Sequence, residues 1–331
     1  MTEPLPLLSI IIVHYNTPNL LLGCIESILQ DHYDGGIEIL VVDNGGLTPN
    51  VIEKLKKLTE VKCVDAGYNA GFARANNIGI RLARGKYLLL INPDSSIGPG
   101  FLKTLVANYR LHENKEKLGL MGCRIVDPEN GQVFEYGSGI GFYGLKNILR
   151  QNPLHIWAFR KRCAKETYTA KQRHYVNHLV DFVSGACVMV NKEVLLKEGL
   201  YLDEDFFLYY EDMEWSFRWK RRGFNNRLCG ETEIAHVNSA STSRFSNKSA
   251  QIRISQYLFL MKTQSRTLYF LGGVLHWINF KLNLFLTKKK QPKRHKELVY
   301  EKKLFSNYYF QIMRGSKPSK GKYLNYVAEE A

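Results

Sequence analysis

The stretch GKYLLLINPD, residues 85–94, decides the fold of this chain. Residues 86–91 form a nearly unbroken apolar run, which is typical of a strand covered on both faces. Asn92 and Pro93 end that strand, because proline has no N–H to donate to a neighbouring strand. Asp94 is therefore expected at the carboxyl end of a buried strand, where open α/β sheets bind their ligands. Its carboxylate either holds a divalent cation that binds a diphosphate, or caps the following turn.

Two further strand patterns precede this stretch. Residues 8–14, LSIIIVH, are rich in β-branched residues, and residues 37–42, IEILVV, lead directly to Asp43. Helical patterns separate the strands, and this alternation predicts a doubly wound, parallel sheet. The loops at Tyr15, Asp43 and Asp94 then converge on one edge, which suits a nucleotide. No GxGxxG follows the first strand and no GxxxxGK[ST] occurs, which excludes the usual dinucleotide and P-loop sites.

The composition is that of a globular, basic protein. Of 331 residues, 45% are hydrophobic, and 46 Lys or Arg exceed 31 Asp or Glu, giving a net charge of +15. Such an excess favours a polyanionic partner, which is nucleic acid, acidic lipid or a phosphorylated substrate. The six cysteines are scattered without CxxC or metal-site spacing, which predicts reduced core residues in a cytosolic protein. The first six residues do not predict a signal peptide.

Residues 65–79 contain the glycines and polar side chains of a ligand-binding loop. Gly71 allows a close backbone approach, and Arg74 is suited to pairing with phosphate. The alternative is an ordinary loop that enters a helix, with Arg74 in solvent.

Residues 146–173 are strongly basic. They contain eight Lys or Arg and only Glu166 as an opposing charge. The segment is either a platform for an anionic acceptor or a solvated surface insertion. Aromatic residues are interspersed, as in nucleic-acid binders, but no RRM, KH, zinc-finger or helix-turn-helix pattern accompanies them. We therefore expect no nucleic-acid partner.

Four motifs in the first hundred residues resemble family 2 glycosyltransferases with the GT-A fold. They are IIIVHYN at residues 10–16, VVDNG at 41–45, NxGFxxAxN at 69–77 and NPD at 92–94. The resemblance implies that Asp43 contacts the base of a nucleotide-sugar and that Asp94 is a metal ligand. Asn92 stands at the first position of the family's Asp-x-Asp motif. The resemblance also assigns to the nucleotide-binding site the residues Tyr15, Asp43, Asn69, Arg74 and Asn92.

The second half of the chain supplies the remaining candidates. Residues 211–223 have acidic residues first, basic residues last and a terminal Gly223, which is ordinary helix chemistry. FLYYED, residues 207–212, resembles the segment whose aspartate is the catalytic base of inverting family members. By that match Asp212 is the base, with Glu211 as the alternative. His236 corresponds to a histidine that often ligates the metal, Mg²⁺ or Mn²⁺, although the glycines usual after it are missing here.

The resemblance implies a mostly parallel α/β GT-A domain with a helical, basic C-terminal appendage. We divide the chain into a nucleotide-sugar-binding half at 1–125, an acceptor-binding and catalytic half at 126–250, and a membrane-associating region at 251–331. The motifs VHYNTP and YYEDMEW resemble bacterial rhamnosyltransferases of surface polysaccharide assembly. They imply a dTDP- or UDP-sugar donor, with rhamnose as the best expectation, and a glycan or polyprenyl-diphosphate-linked acceptor. The alternatives are a non-catalytic glycan- or lipid-binding subunit and a nucleotidyltransferase.

The most apolar stretch is at residues 268–286. As a helix it barely reaches across a bilayer core, and His276, Asn279 and Asn283 form one polar stripe along it. Residues 288–296, directly after it, contain six Lys or Arg, which suits anionic headgroups. The sequence therefore favours an amphipathic helix in the interface of the inner face of the cell membrane over a transmembrane span. The alternative is a core helix followed by a solvated tail.

Overall fold

The computed structural model describes residues 5–134, 138–139, 141–150, 175–237, 248–287 and 292–315. These residues form two compact units. The first lies within residues 1–141, 170–207 and 211–244, and the second within 142–169, 208–210 and 245–331. The division into functional parts at residues 125 and 250 stays a prediction.

The first unit begins with four parallel strands in the spatial order β3-β2-β1-β4. Their bounds are β1 (Leu8–His14), β2 (Ile37–Asp43), β3 (Val61–Asp65) and β4 (Tyr87–Ile91). The helices between and after them are α1 (Pro18–Gln30), α2 (Pro49–Lys56), α3 (Gly71–Leu82) and α4 (Phe101–Glu113). Every residue of β1 and β4 is buried, because helices cover both faces of these apolar runs. The predicted α/β class and central parallel strands are confirmed.

Further strands extend the sheet beyond β4. They are β5 (Ser95–Ile97), β6 (Leu118–Val126), β8 (His178–Val180), β10 (Cys187–Asn191) and β11 (Asn225–His236). Within the described ranges the order continues β4-β10-β6-β11-β5, with β8 pairing β11. β10 runs antiparallel to β4, whereas β11 runs parallel to β6. A separate ribbon pairs β7 (Ser138–Gly139) with β9 (Phe182–Val183).

One predicted strand is divided. The sequence predicts a buried strand at residues 180–190 with a break in it, and the chain turns after β9 and pairs again only from Cys187. The turn contains Ser184 and Gly185, the residues at which the sequence predicts a break. The helices that follow are α6 (Lys192–Glu198) and α7 (Glu211–Arg221), and α7 has the acidic first turn and basic last turn that the sequence predicts.

The second unit is helical. It contains α5 (Leu145–Arg150), α8 (Lys248–Thr263), α9 (Arg266–Thr287), α10 (Pro292–Leu304), a π-helical turn (Phe305–Tyr309) and α11 (Phe310–Met313). The rings of Tyr269 and Tyr309 stack with centroids 4.1 Å apart, and each hydroxyl donates to the other's backbone carbonyl. A Cβ on Gly273 would lie 2.6 Å from the Tyr309 ring, so this glycine permits the close packing of α9.

The predicted helix at residues 268–286 is confirmed as α9, but its polar stripe is turned inward. His276 is 2% exposed and Asn279 is 7% exposed. No helix in the described ranges is long and apolar enough to cross a membrane. Five cysteines (Cys24, Cys63, Cys123, Cys187 and Cys229) are free thiols, as predicted. Outside the described residues lie positions 151–173 of the basic segment, with Cys163, and 288–291 of the basic run.

Candidate active site

His14 and Asp43 end neighbouring parallel strands and lie opposite each other in the register of β1 and β2. His14 Nδ1 lies 3.2 Å from Asp43 Oδ1, and the Thr17 backbone N–H donates to His14 Nε2 at 3.1 Å. Because Nε2 accepts, the proton of the neutral ring is on Nδ1 and points at Asp43. Burial lowers the pKa of His14, against the opposing effect of Asp43, so the ring stays neutral at physiological pH. Gly45 N–H also donates to Asp43 Oδ1, at 2.9 Å.

The loops after β1 and β2 are in direct contact, as the sequence predicts. Asn16 N–H donates to the Gly45 carbonyl at 3.0 Å, and a Cβ on Gly45 would lie 3.4 Å from the Tyr15 ring. Gly46 has φ +96°, and a Cβ there would lie 2.3 Å from Asn16 Oδ1. Only glycine fits this position, because both the backbone angle and the neighbouring side chain exclude a Cβ.

Asn69 organises the loop that precedes α3. Its Oδ1 accepts from Asn44 Nδ2 at 2.9 Å and from Gly71 N–H at 3.2 Å. Asn44 Oδ1 in turn accepts from Ala70 N–H at 2.7 Å. These bonds tie the loop to the end of β2. The structure thus gives Asn69 a loop-building role, and its predicted contact with nucleotide stays a prediction.

Gly71 makes the predicted close backbone approach, but to protein. It has φ +78°, and a Cβ would lie 2.4 Å from the Phe207 carbonyl oxygen. The next residue, Phe72, donates its N–H to that carbonyl at 2.7 Å. Arg74 Nε lies 4.0 Å from Glu204, at the outer limit of an ion pair. Arg74 thus lies near an acidic side chain, and its pairing with phosphate stays a prediction.

Asp94 and His236 lie together beyond the end of β4. Strand β5 pairs with the end of β11 in a register that sets His236 opposite Ser95. His236 Nε2 lies 3.1 Å from Asp94 Oδ1 and 3.2 Å from Asn92 Nδ2. Both the Asp94 and His236 side chains are buried.

Asn92, Asp94 and His236 fit a site for a divalent cation that takes its remaining ligands from the substrate. Mg²⁺ in nucleotide sites is commonly held by one or two carboxylates plus phosphate oxygens and water, and Mn²⁺ also accepts imidazole. Asp94 and His236 supply one donor of each kind. Within the described ranges, no cluster of three or more His, Cys, Asp or Glu could hold a metal ion. The two protein donors suit an ion whose other ligands are phosphate oxygens and water.

Asp212 lies in the first turn of α7, against the turn between β9 and β10. The N–H of Gly185 donates to Asp212 Oδ2 at 3.0 Å, and that of Met213 to Oδ1 at 2.7 Å. Burial raises the pKa of Asp212, while these backbone donors act in the opposite direction. A Cβ on Gly185 would lie 3.1 Å from the Phe72 ring and 3.5 Å from Asp212 Cβ. Glycine at 185 therefore allows the carboxylate to approach the backbone.

Glu211 differs from Asp212 in its surroundings. Its side chain is 5% exposed, and Oε2 is a buried atom for which the described residues offer no hydrogen-bond partner. Burial, with the charge of Asp212 as a second cause, raises the pKa of Glu211 well above its ordinary value. Burial thus favours the neutral form of Glu211, which makes it a weaker candidate for the base than Asp212.

The turn at residues 184–187 contacts both Asn92, which adjoins the candidate metal ligands, and Asp212. The N–H of Asn92 donates to the Ala186 carbonyl at 3.0 Å, while the adjacent Gly185 donates to Asp212. Asp212 therefore contacts this turn directly, and the turn also bonds to Asn92, two residues before Asp94. His14 and Asn44 lie within the motifs IIIVHYN and VVDNG, but neither was predicted as a site residue. Gly185 lies in the break that the sequence predicts between residues 180 and 190.

The family model "Glycosyl transferase family 2" matches residues 9–198. Three curated relatives are similar over most of the chain. The low-salt glycan biosynthesis hexosyltransferase Agl10 of Haloferax volcanii is 26% identical, covering 72% of this chain and 69% of the relative. The dTDP-rhamnosyl transferase RfbF of Shigella flexneri is 25% identical, covering 69% and 68%. The N-acetylglucosaminyl-diphospho-decaprenol L-rhamnosyltransferase of Mycobacterium tuberculosis is 24% identical, covering 69% and 76%.

Among solved structures, that of GalNAc-T7 with UDP, GalNAc and Mn²⁺ is similar, with a TM-score of 0.57 and 13% identity. The match covers 96% of this chain and 59% of that one. At this identity it bears on the fold alone, and it confirms the GT-A architecture that the motifs predict. The chain belongs to glycosyl transferase family 2 and is a glycosyltransferase enzyme.

Proposed function

We propose that this enzyme transfers a sugar, with rhamnose as the best expectation, from a dTDP- or UDP-sugar to a glycan or polyprenyl-diphosphate-linked acceptor, with inversion. The observation that carries the proposal is the turn at residues 185–186, which is bonded to Asp212 and to the NPD segment that contains Asp94. Gly185 N–H donates to Asp212, Ala186 accepts the Asn92 N–H, and Asp94 pairs with His236. Inverting transfer needs one group to stabilise the leaving diphosphate and another to deprotonate the acceptor.

The donor nucleotide lies, in this proposal, over the carboxyl ends of β1 and β2. Asp43 accepts a hydrogen bond from the base through its carboxylate, which His14 and Gly45 hold in place through Oδ1. Tyr15 packs beside the base, and Asn69 shapes the adjoining loop. Arg74, half-buried in the first turns of α3, balances part of the diphosphate charge.

Asp94 and His236 would hold the divalent cation, Mg²⁺ or Mn²⁺, with Asn92 beside them. When bound, the cation supplies positive charge against the negative charge that grows on the departing diphosphate. Asp94 contributes the carboxylate oxygen, and His236 the imidazole nitrogen. Asn92 Nδ2 lies 3.2 Å from the same ring nitrogen, Nε2, so a cation ligated there would displace this contact.

Asp212 takes the proton from the acceptor hydroxyl as that oxygen attacks the anomeric carbon. Its raised pKa makes it a better proton acceptor than an ordinary aspartate. The N–H groups of Gly185 and Met213 keep the carboxylate ionised and fix its orientation. Glu211, being neutral, takes no proton in this scheme.

The names of the relatives support the choice of substrates. One relative is named for dTDP-rhamnosyl transfer, and another for L-rhamnosyl transfer to a diphospho-decaprenol-linked sugar. A lipid-linked acceptor would be met at the inner face of a bacterial cell membrane, where we place the enzyme as a peripheral protein of cell-surface polysaccharide assembly.

A panel of nucleotide-sugars tests this function. Slow release of nucleoside diphosphate from one donor, without acceptor, should require Mg²⁺ or Mn²⁺ and stop with chelator. The competing hypothesis of a non-catalytic glycan- or lipid-binding subunit predicts binding without release. A nucleotidyltransferase would instead consume sugar phosphate and nucleoside triphosphate. Release from no donor under any metal condition would contradict the proposal.

A further inference from the structure

Helix α9 presents an apolar face to solvent. Phe270 is 53% exposed, Trp277 is 50% exposed and Phe285 is 82% exposed. Leu271, Val274 and Ile278, each more than a third exposed, lie on the same side of the helix at spacings of three and four residues. A continuous apolar stripe of this kind on a surface marks an interaction site rather than scattered exposure.

The opposite face of α9 is fixed by its own unit. The ring of His276 lies 5.5 Å from that of Tyr257, centroid to centroid, and Asn279 Nδ2 donates to the Ile148 carbonyl at 2.9 Å. Tyr309 stacks on Tyr269 one to two turns earlier. Burial lowers the pKa of His276 to about 3, with Arg253 as a second cause, so this ring stays neutral within the aromatic cluster. The helix therefore cannot turn its apolar stripe inward without breaking these contacts.

The sequence on either side of α9 is basic. No Asp or Glu occurs between Glu233 and Glu297, whereas that interval contains twelve Lys or Arg. On α9 itself, Lys281 is exposed in the stripe, with Nζ 5.3 Å from the centroid of the Trp277 ring. A second copy of the chain would bring like charges together here, whereas an anionic surface would neutralise them.

We propose that this apolar face of α9 is the surface by which the protein inserts into one leaflet of an anionic lipid bilayer. The helix lies parallel to the membrane plane, with Phe270, Trp277 and Phe285 among the acyl chains. Lys281 extends its ammonium group to the headgroups, as long basic side chains do at interfaces. The inference rests on the proposed function in one respect, which is that membrane attachment would bring the active site to a lipid-linked acceptor. The contacts between α9 and the bilayer do not depend on any substrate.

Vesicle co-sedimentation of the full chain tests this surface. At low salt, wild type should bind phosphatidylcholine vesicles that contain phosphatidylglycerol and should not bind pure phosphatidylcholine vesicles. High salt should weaken the binding. Phe270→Gln/Trp277→Gln/Phe285→Gln, made together, should reduce binding about tenfold or more, because each change removes inserted apolar surface. The matched control is Leu111→Gln/Leu196→Gln, two leucines of similar exposure on helices of the first unit.

A second readout follows Trp277 directly. In a Trp157→Phe background, the fluorescence should shift to shorter wavelength with anionic vesicles, and Trp277→Phe should remove that shift, since the remaining Trp215 and Trp219 are already buried. The inference is overturned if wild type fails to bind anionic vesicles, or if the triple variant binds like wild type. It is also overturned if sedimentation shows a dimer that the triple variant dissociates while vesicle binding persists. Donor turnover in solution should survive in the triple variant. Vesicle binding by a protein without donor turnover would refute the proposed function and leave this surface standing.

Discussion

His14 Nδ1 lies 3.2 Å from Asp43 Oδ1, and both residues end parallel strands at the same edge of the sheet. The opposite ring nitrogen accepts the Thr17 N–H, so the neutral ring has its proton on the side of Asp43. A buried imidazole thus fixes one oxygen of the carboxylate that we expect to contact the nucleotide base.

This contact predicts a graded effect on nucleotide affinity. His14→Phe removes the donor to Asp43 and should weaken binding of the nucleoside diphosphate about tenfold, a typical cost for a hydrogen bond to a charged group. His14→Asn places an amide N–H near the position of Nδ1 and should retain most of the affinity. Calorimetric Kd values measure both, with circular dichroism as the folding control. Equal Kd values for wild type and His14→Phe would refute this positioning role.

Asp94 and His236 should be needed for binding of Mn²⁺ in the presence of nucleoside diphosphate. The free-ion resonance signal of Mn²⁺ should fall when wild type is added, but not with Asp94→Asn. His236→Ala should weaken the binding less, because one carboxylate remains. Asp65→Asn is the matched control, since Asp65 also ends a strand of this sheet but is exposed. If Asp94→Asn binds Mn²⁺ as tightly as wild type, the site lies elsewhere.

Gly185→Ala should shift the pH dependence of turnover. The added Cβ meets the Phe72 ring and Asp212, and should lengthen the hydrogen bond from residue 185 to the carboxylate. That bond favours the ionised form, so weakening it raises the pKa of Asp212 further. The acidic limb of kcat should therefore move to higher pH. Gly23→Ala, where a Cβ meets nothing within 4 Å, should leave the profile unchanged. An unmoved limb in Gly185→Ala would argue against Asp212 as the titrating base.

Glu211→Gln should change stability rather than catalysis. In the unfolded chain a glutamate titrates near pH 4.3, whereas burial holds the folded pKa of Glu211 well above its ordinary value. Ionisation therefore favours the unfolded state as pH rises above the unfolded value, and the folded protein loses stability. Gln does not ionise, so the melting temperature of the variant relative to wild type should increase from pH 5 to pH 8. A difference that is constant with pH would show that Glu211 does not titrate in this way.

The sequence predicted the parts of the fold that depend on local pattern. Apolar runs located β1, β2 and β4, and the charge gradient located α7. The pairing of Asp94 with His236 was expected only from family resemblance. It depends on β5 meeting the end of β11 in one register, and that pairing joins segments far apart in the chain.

Other features could not be predicted, because tertiary contacts override the local pattern. The polar stripe of α9 faces inward, since Asn279 donates to the Ile148 carbonyl and His276 packs in an aromatic cluster. Tyr209 and Tyr210 have φ values of 70° and 66°, which non-glycine residues rarely adopt. Such left-handed backbone, directly before the first residue of α7, Glu211, has no signal in residue type.

The most direct test of the account compares nucleoside diphosphate release by wild type, Asp212→Asn and Glu211→Gln, with the donor that the panel identifies and its acceptor. Asp212→Asn keeps the shape of the side chain but accepts no proton. Its kcat should fall by roughly 10²–10⁴-fold, while the Kd for the donor stays near that of wild type. Glu211→Gln should retain most of the rate. A near-wild-type kcat for Asp212→Asn, or a loss confined to Glu211→Gln, would contradict the account.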